Sequence, residues 1–318
     1  MSRPTFNRSL LHPRHWPSWA AFALWFLLSL LPYKAQLVIG RLLGKLLYRL
    51  ATRRRKIAEC NIQLCYPQLS KVEQKQRIKG VMASLGIAVM ESGMAWFWPK
   101  KRLEGMYSIE GLEHLQKAKE QGQGVILLSI HFTHIDLCIK FLGMRWPLDG
   151  FYRTHKNPVY DYMQRKGRER HIKHARAIAR SDLRGMIRSL KGGRAMIYAP
   201  DQDYGAQHSV FVPFFGVQAA SVTATAKLAK LGKAQVIPFG HMRRKDGSGY
   251  DLKVFPAFED FPSGDEAADV RRVNEFIEQR VEEQPEQYLW VHRRFKTRPP
   301  GEADIYDAFG VPPKKRRG

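Results

Sequence analysis

Two imidazoles and a carboxylate fall within six positions of one another in the segment SIHFTHIDLC, residues 129–138, as His131, His134 and Asp136. They follow a purely aliphatic run, Val125, Ile126, Leu127 and Leu128. An imidazole held in one tautomer by a carboxylate is a general base. The set brings no nucleophile of its own, so its useful work would be to take a proton from a bound hydroxyl. On one helix, residues five apart point about 140° away from each other. His131 can meet Asp136 only from outside the helix, at a strand-to-helix turn where Thr133 is the N-cap and Asp136 is N3. A second reading fits the same letters. Thr-x-x-Asp is also a capping box that serves only the backbone, with His134 a solvated helix residue facing Cys138 one turn on.

The flanking pattern supplies such a turn. Apolar, β-rich runs at 124–130, 149–153, 194–199, 234–240 and 251–256 read as strands. Helical stretches are expected at 134–144, 158–179, 181–192 and 217–232. That alternation predicts an α/β fold with a mixed central sheet flanked by helices. Functional groups in such sheets favour the carboxyl ends of strands, which is where His131 falls. Upstream, residues 57–100 read as helical with breaks at Pro67 and Pro99. Ser70 and Glu73 have the spacing of a capping box. An acidic stretch at 265–286 reads as a surface helix.

Composition narrows the function classes. The chain has 318 residues, 44% of them hydrophobic, enough for a sizeable core. A net charge of +24 draws polyanions: nucleic acid, anionic lipid or an acidic protein. A nucleic-acid binder lacks support, because there is no recognition motif, RNP-like strand or zinc spacing. Cys60, Cys65 and Cys138 are too few and too oddly placed for a disulfide scaffold or a zinc site, and read as small buried hydrophobes.

Residues 16–31, WPSWAAFALWFLLSLL, carry no charge, and the basic amphipathic stretch LVIGRLLGKLLYRLATRRRK follows them. Two tryptophans and this heavier basic side point to a membrane helix with the bulk of the chain cytoplasmic. A buried soluble helix is the alternative, since about 17 residues is the lower limit for a span. The expected organisation is a membrane anchor with its basic segment over 1–56, a catalytic domain over 57–300 and a basic tail over 301–318. Gly40 and Gly44 form a GxxxG, a weak pairing signal.

Several long segments together resemble one family. HxxxxD, as His131 to Asp136, resembles the signature of glycerolipid acyltransferases. FYRTHKNP (151–158), DLRGMIRSLKGG (182–193), IYAPDQDYG (197–205), VFVPFFG (210–216), PEQYLWVHRRFKTRP (285–299) and LHPRHWPSW (11–19) are similar to the lipid A biosynthesis acyltransferases, most of all the late lauroyl and palmitoleoyl type. Relatives of that type often carry glutamate in place of Asp136. The EGxR-like motif of the phosphatidic-acid branch is replaced here by APDQDYG, which argues against a glycerol-phosphate acceptor.

The resemblance implies a glycerolipid acyltransferase-like fold and an inner-membrane enzyme with a cytoplasmic active site. Its acyl donor would be acyl carrier protein and its acceptor a hydroxyl on a Kdo-bearing lipid A precursor. Nucleic acid would not be a partner, and the reaction needs no cofactor or metal. Myristoyl or palmitoleoyl transfer, or another lipid acceptor, are the nearest alternatives.

His131 and Asp136 would be catalytic. Arg153 and Asn157, ahead of Pro158, would form an anion-binding turn. Arg168 and Arg170, in the basic run 165–180, would approach lipid phosphates, Kdo carboxylates or the acidic carrier protein. Asp201 would orient basic groups, and Gly205 would belong to the same substrate site. Phe211, Phe214 and Phe215 could line an acyl tunnel or fill ordinary core. The last basic cluster, His292, Arg293, Arg294, Lys296 and Arg298, would bind polyanion beside an interfacial Tyr288 and Trp290.

Overall fold

The computed structural model describes residues 6–152, 154–172, 177–179 and 182–312. Arg153, part of the basic run (173–176, 180) and the last six residues of the tail lie outside them.

Long helices open the fold in succession: α1 (Trp16–Leu30), α2 (Tyr33–Leu50), α3 (Thr52–Cys65) and α4 (Lys71–Phe97). Ser70 accepts from the Glu73 amide while the Glu73 carboxylate accepts from the Ser70 amide, so the predicted capping box starts α4. Gly40 and Gly44 pair α2 with α4 inside this chain. A Cβ on Gly40 would lie 2.6 Å from Ile87 Cα, and one on Gly86 would strike the Gly40 carbonyl and the Gly44 amide. The GxxxG thus meets a third glycine, letting two backbones touch.

After α5 (Lys100–Glu104), strands and helices alternate: β1 (Tyr107–Glu110), α6 (Leu112–Glu120), β2 (Gly124–Leu128), α7 (Ile135–Arg145), β3 (Leu148–Tyr152), α8 (Pro158–Glu169), β4 (Ala177–Ala179), α9 (Leu183–Lys191) and β5 (Ala195–Tyr198). A hairpin of β6 (Ser209–Phe214) and β7 (Val217–Val222) follows, then α10 (Ala224–Gly232), β8 (Ala234–Arg243), β9 (Tyr250–Val254), α11 (Glu266–Glu283) and the short α12 (Ile305–Ala308).

Among the described residues the main sheet has the order β1-β9-β8-β2-β5-β3-β4. All its pairs are parallel except β8–β9, so the predicted mixed α/β sheet is present. Every residue of β2 is buried, as a central parallel strand covered on both faces requires. Ile126 and Leu128 pack with α9, α10, α11 and α3; Val125 and Leu127 pack with α4, α6, α7 and α8.

Two expectations need correction. The helix expected over 158–179 stops at Glu169, and residues 177–179 are β4. The buried Lys140 Nζ takes the α8 carbonyls of Gly167 and Arg168, which terminates the helix from outside. The helix expected over 217–232 begins only at Ala224. Its first half is β7, turned back on β6 through Phe215 and Gly216, both at positive φ as a two-residue hairpin demands. At 15 residues α1 is about 22 Å long, short of a bilayer's roughly 30 Å hydrocarbon core. The one described helix long and apolar enough to cross a membrane is α4, most of which is buried in the protein.

Candidate active site

Parallel pairing of β2 with β5 sets Leu128 opposite Tyr198. Three residues further along each strand come His131 and Asp201, side by side beyond the sheet's carboxyl edge. Asp201 Oδ1 lies 2.5 Å from His131 Nδ1, and Asp201 Oδ2 accepts the His131 backbone N–H at 2.9 Å. The carboxylate is fully buried while a quarter of the ring stays exposed. Burial pushes the imidazole's pKa down, but the Asp201 charge and hydrogen bond, with Asp136 more distant, outweigh it and raise it above the usual value. Burial pushes Asp201 up; the His131 charge and the hydrogen bonds from its ring and amide win and hold the carboxyl below its usual range. With Nδ1 held, Nε2 is the ring's basic nitrogen.

The predicted His131–Asp136 bond is therefore replaced. Asp136 sits in the first turn of α7, but its carboxylate accepts from Arg168 Nη2 at 2.9 and 3.1 Å. The turn is shorter than expected. His134, not Thr133, precedes the helix, and the Thr133 hydroxyl bonds the Ser84 hydroxyl at 2.7 Å. The adjacent strand delivers Asp201 to Nδ1 in register, while Arg168 engages the Asp136 carboxylate.

His134 is not solvated. It is 1% exposed, and with Cys138 and His241 it brings ligand atoms within 4.8 Å of one another. Burial drives both rings toward neutrality, His241 down to about 3, and lifts the Cys138 thiol. The nearby Arg243 guanidinium, paired with the buried Glu91 at 2.8 Å, makes this a poor place for a further cation. The three cysteines are buried, as expected of small hydrophobes.

His131 and Asp136 both line a cavity of about 1030 Å³. Its walls are mostly aliphatic, with Ile135 and Ile139 from α7, Ile197 from β5, Met186 from α9 and Leu228 from α10. It occupies a fork in the sheet. Strand β3 pairs with β5 only at Leu148–Ala195 and Asp149–Met196; from Gly150 onward it pairs with β4. Ile197, Tyr198 and Ala199 line one arm of the fork and Gly150 the other. Arg168 also lines the cavity, and its Nε is buried with no partner among the described residues. The Asp136 charge raises the Arg168 pKa against the effect of burial. Lys140, missed from the sequence, lines the cavity too; burial lowers its pKa to about 7, with the Asp136 charge opposing.

The remaining candidates are structural in their contacts. Asn157 caps α8 through the Tyr160 amide and donates to the Ser18 hydroxyl at 2.9 Å. Arg170 donates to the Trp96 and Phe97 carbonyls at the end of α4. Gly205 is in the left-handed region at φ 98°, its amide on Asp203 Oδ1. Arg153 lies outside the described residues. Phe214 is core, packed with Tyr288 and Phe295.

The last basic cluster is largely engaged within the protein, with Lys296 exposed, and its aromatics are internal. Tyr288 and Trp290 are buried rather than interfacial. Arg294 is buried on the Ala220 carbonyl and the Ser221 hydroxyl, Arg293 pairs with Asp304, and Arg298 with Glu302. His292 Nε2 accepts the Asp203 amide, and Asp203 accepts from the Thr297 amide and hydroxyl. These groups brace the loop that carries Asp201.

The fold and site define an α/β protein with a mixed sheet, whose imidazole–aspartate pair sits beside a mostly aliphatic cavity. Comparison with known proteins makes this specific. Residues 3–297 match the family described as bacterial lipid A biosynthesis acyltransferase, and the chain belongs to that family. It is 41% identical over 304 residues to the lipid A biosynthesis lauroyltransferase of Escherichia coli K12, covering 95% of this chain and 99% of the relative. It is 39% identical to the palmitoleoyltransferase of the same organism, with 95% and 98% covered. The E. coli myristoyltransferase is 30% identical, with 98% and 97% covered.

Proposed function

We propose that this protein transfers a fatty acyl chain, lauroyl or of similar length, from acyl carrier protein to a hydroxyl on an acyl chain of a Kdo-bearing lipid A precursor. The observation that carries this is the His131–Asp201 pair opening onto the aliphatic cavity. His131 Nε2 takes the proton of the acceptor's hydroxyl, and the oxygen attacks the thioester carbonyl carbon of the donor. The resulting tetrahedral oxyanion collapses, the carbon–sulfur bond breaks, and the imidazolium returns its proton to the departing pantetheine sulfur. Asp201 holds the tautomer and offsets the charge of the imidazolium. Arg168, which lines the cavity and whose Nε has no protein partner among the described residues, supplies a cation for the oxyanion or a lipid phosphate.

The same reading gives the N-terminal layer a membrane role. Leu24, Leu27 and Leu30 of α1 and Val38, Leu42, Leu46 and Leu50 of α2 are each about half exposed or more. Exposed Arg41, Lys45 and Arg49 accompany the α2 set. Such a pair suits a helix layer lying in the cytoplasmic face of the inner membrane, with the basic side chains on anionic headgroups.

The test is transfer in vitro. Purified protein, lauroyl-loaded acyl carrier protein and a Kdo-bearing tetra-acylated precursor should give a product heavier by one lauroyl group in mass spectrometry. His131→Ala should give none while remaining folded. Product at the wild-type rate from that variant would remove the general-base mechanism. Leu42→Asp with Leu46→Asp should shift the protein off anionic vesicles in flotation; unchanged flotation would remove the membrane assignment of α2.

A further inference from the structure

Within the acyl-transfer reading, on which this rests, the sheet fork points to what limits chain length. Gly150 is the first β3 residue past its last pair with β5, and it lines the cavity. Among the described residues, a Cβ built on Gly150 would meet no atom within 4 Å, and its φ is not in the left-handed region. Neither a left-handed φ nor a close neighbour among the described residues calls for glycine there. Glycine inside a strand often marks a bend or a place where a ligand or another backbone approaches closely, and the open space beside Gly150 on the cavity wall favours a ligand.

The path to that point has a definite span. Through the pairs Asp149–Met196 and Met196–Ile126, Gly150 lies level with Leu127, four residues short of His131. At strand geometry that is about 13 Å along the sheet and about 10 Å across two strand spacings, or about 16 Å in all. An extended single-bonded chain rises about 1.2 Å per bond, so roughly a dozen bonds fit between. Ile135, Ile139, Ile197 and Leu148 wall this route.

We propose that Gly150 is the stop that sets acyl length: the space left by its missing side chain receives the methyl end of the donor's chain. A larger residue there shortens the longest chain accepted, and truncation of Leu148 beside it lengthens it.

The test uses acyl carrier protein loaded with each even chain from octanoyl to palmitoyl, supplied to the full-length protein. For Gly150→Leu the ratio of myristoyl to octanoyl rates should fall at least tenfold from wild type. Gly150→Ala should shift the ratio the same way by less, and Leu148→Ala should shift it toward longer chains. Displacement of a bound pyrene-labelled fatty acid by free fatty acids of each length reads the same profile without turnover. If Gly150→Leu fails to fold, Gly150→Ala and Leu148→Ala decide. Wild-type profiles in both, by rate and by displacement, overturn the proposal. A wild type that transfers no chain, yet shows a binding cutoff that Gly150→Ala shortens, keeps Gly150 as the stop and removes the transfer reading instead.

Discussion

Replacing Asp201 by asparagine tests the central pair without removing atoms from the loop. In Asp201→Asn the new side-chain carbonyl can still accept the His131 backbone N–H that Asp201 Oδ2 now holds at 2.9 Å, so the turn keeps its anchor. What changes is the partner of Nδ1. A side-chain amide donates, which makes Nδ1 the acceptor and leaves the proton on Nε2, where a base is needed. The variant should lose the general-base share of catalysis, about 10²–10⁴-fold in kcat, which is about 3–5 kcal/mol of barrier. The pH profile gives an independent readout. His131 works when neutral, and its pKa is raised above the usual value, with the Asp201 charge and hydrogen bond outweighing burial. Wild-type activity should therefore climb with pH through a limb above about 6.5. In the variant the raising charge is gone and burial prevails, so the limb should move to lower pH as the plateau falls. Initial rates between about pH 5 and 9, a range spanning the ordinary histidine pKa, measure both, with a melting curve to confirm folding. A kcat within threefold of wild type together with an unmoved limb would refute the assignment of Asp201 to His131.

Asp136→Glu should keep most activity and Asp136→Asn should lose it, with Arg168→Ala losing about 10–100-fold in kcat/KM, the worth of a hydrogen bond to a charged group; the pH limb of His131 should move less in all three than in the Asp201 variant. Gly86→Leu drives a side chain into the Gly40 and Gly44 backbone and should cost about 1–3 kcal/mol, read as a lower Tm by thermal denaturation. Burial, opposed by the Asp136 charge, lowers Lys140 to about 7, against 10.5 for a free lysine. Between those values the unfolded chain binds the extra proton, so stability contributed at this site rises with pH from about 7 to 10.5. Lys140→Met should remove that rise from the difference between the two proteins' denaturation curves.

The sheet was legible because its strands are short aliphatic runs bounded by turns. Those at 124–130, 194–199 and 234–240 land on β2, β5 and β8, whose two-sided burial leaves no polar ambiguity. The β6–β7 hairpin was not, although its signal was present: a two-residue Phe-Gly link between β-rich runs. Ala219, Ala220 and the alanines of α10 blurred the join between strand and helix. β4 has three residues and draws its pairing from β3, a long-range contact that local pattern does not carry. The basic clusters misled for one reason. Charge counted along the chain does not distinguish Arg294, which spends its guanidinium on buried carbonyl and hydroxyl oxygens, from Arg168, which faces a cavity.

The site shows the same limit in sharper form. His131 and Asp136 were found together because they are close in sequence, and both do reach the cavity. Their division of labour depends on register. Asp201 is seventy residues from His131, yet both stand three residues past a paired position, Leu128 and Tyr198. Two parallel neighbours therefore offer each other their loop residues, and a carboxylate from the second strand meets the imidazole more directly than one from the next helix. That frees Asp136 for a different task. An arginine lining an aliphatic cavity is costly without a counter-charge, and Asp136 supplies it from the first turn of α7. The HxxxxD spacing then encodes two linked demands, a base at the strand end and a neutralised cation one helical turn away. A carboxylate one methylene longer meets the second demand as well as aspartate does, because the long arginine side chain adjusts to it. An amide supplies no counter-charge and leaves Arg168 unpaired, so the consequences of Asp136→Asn should fall on substrate binding before they fall on proton transfer.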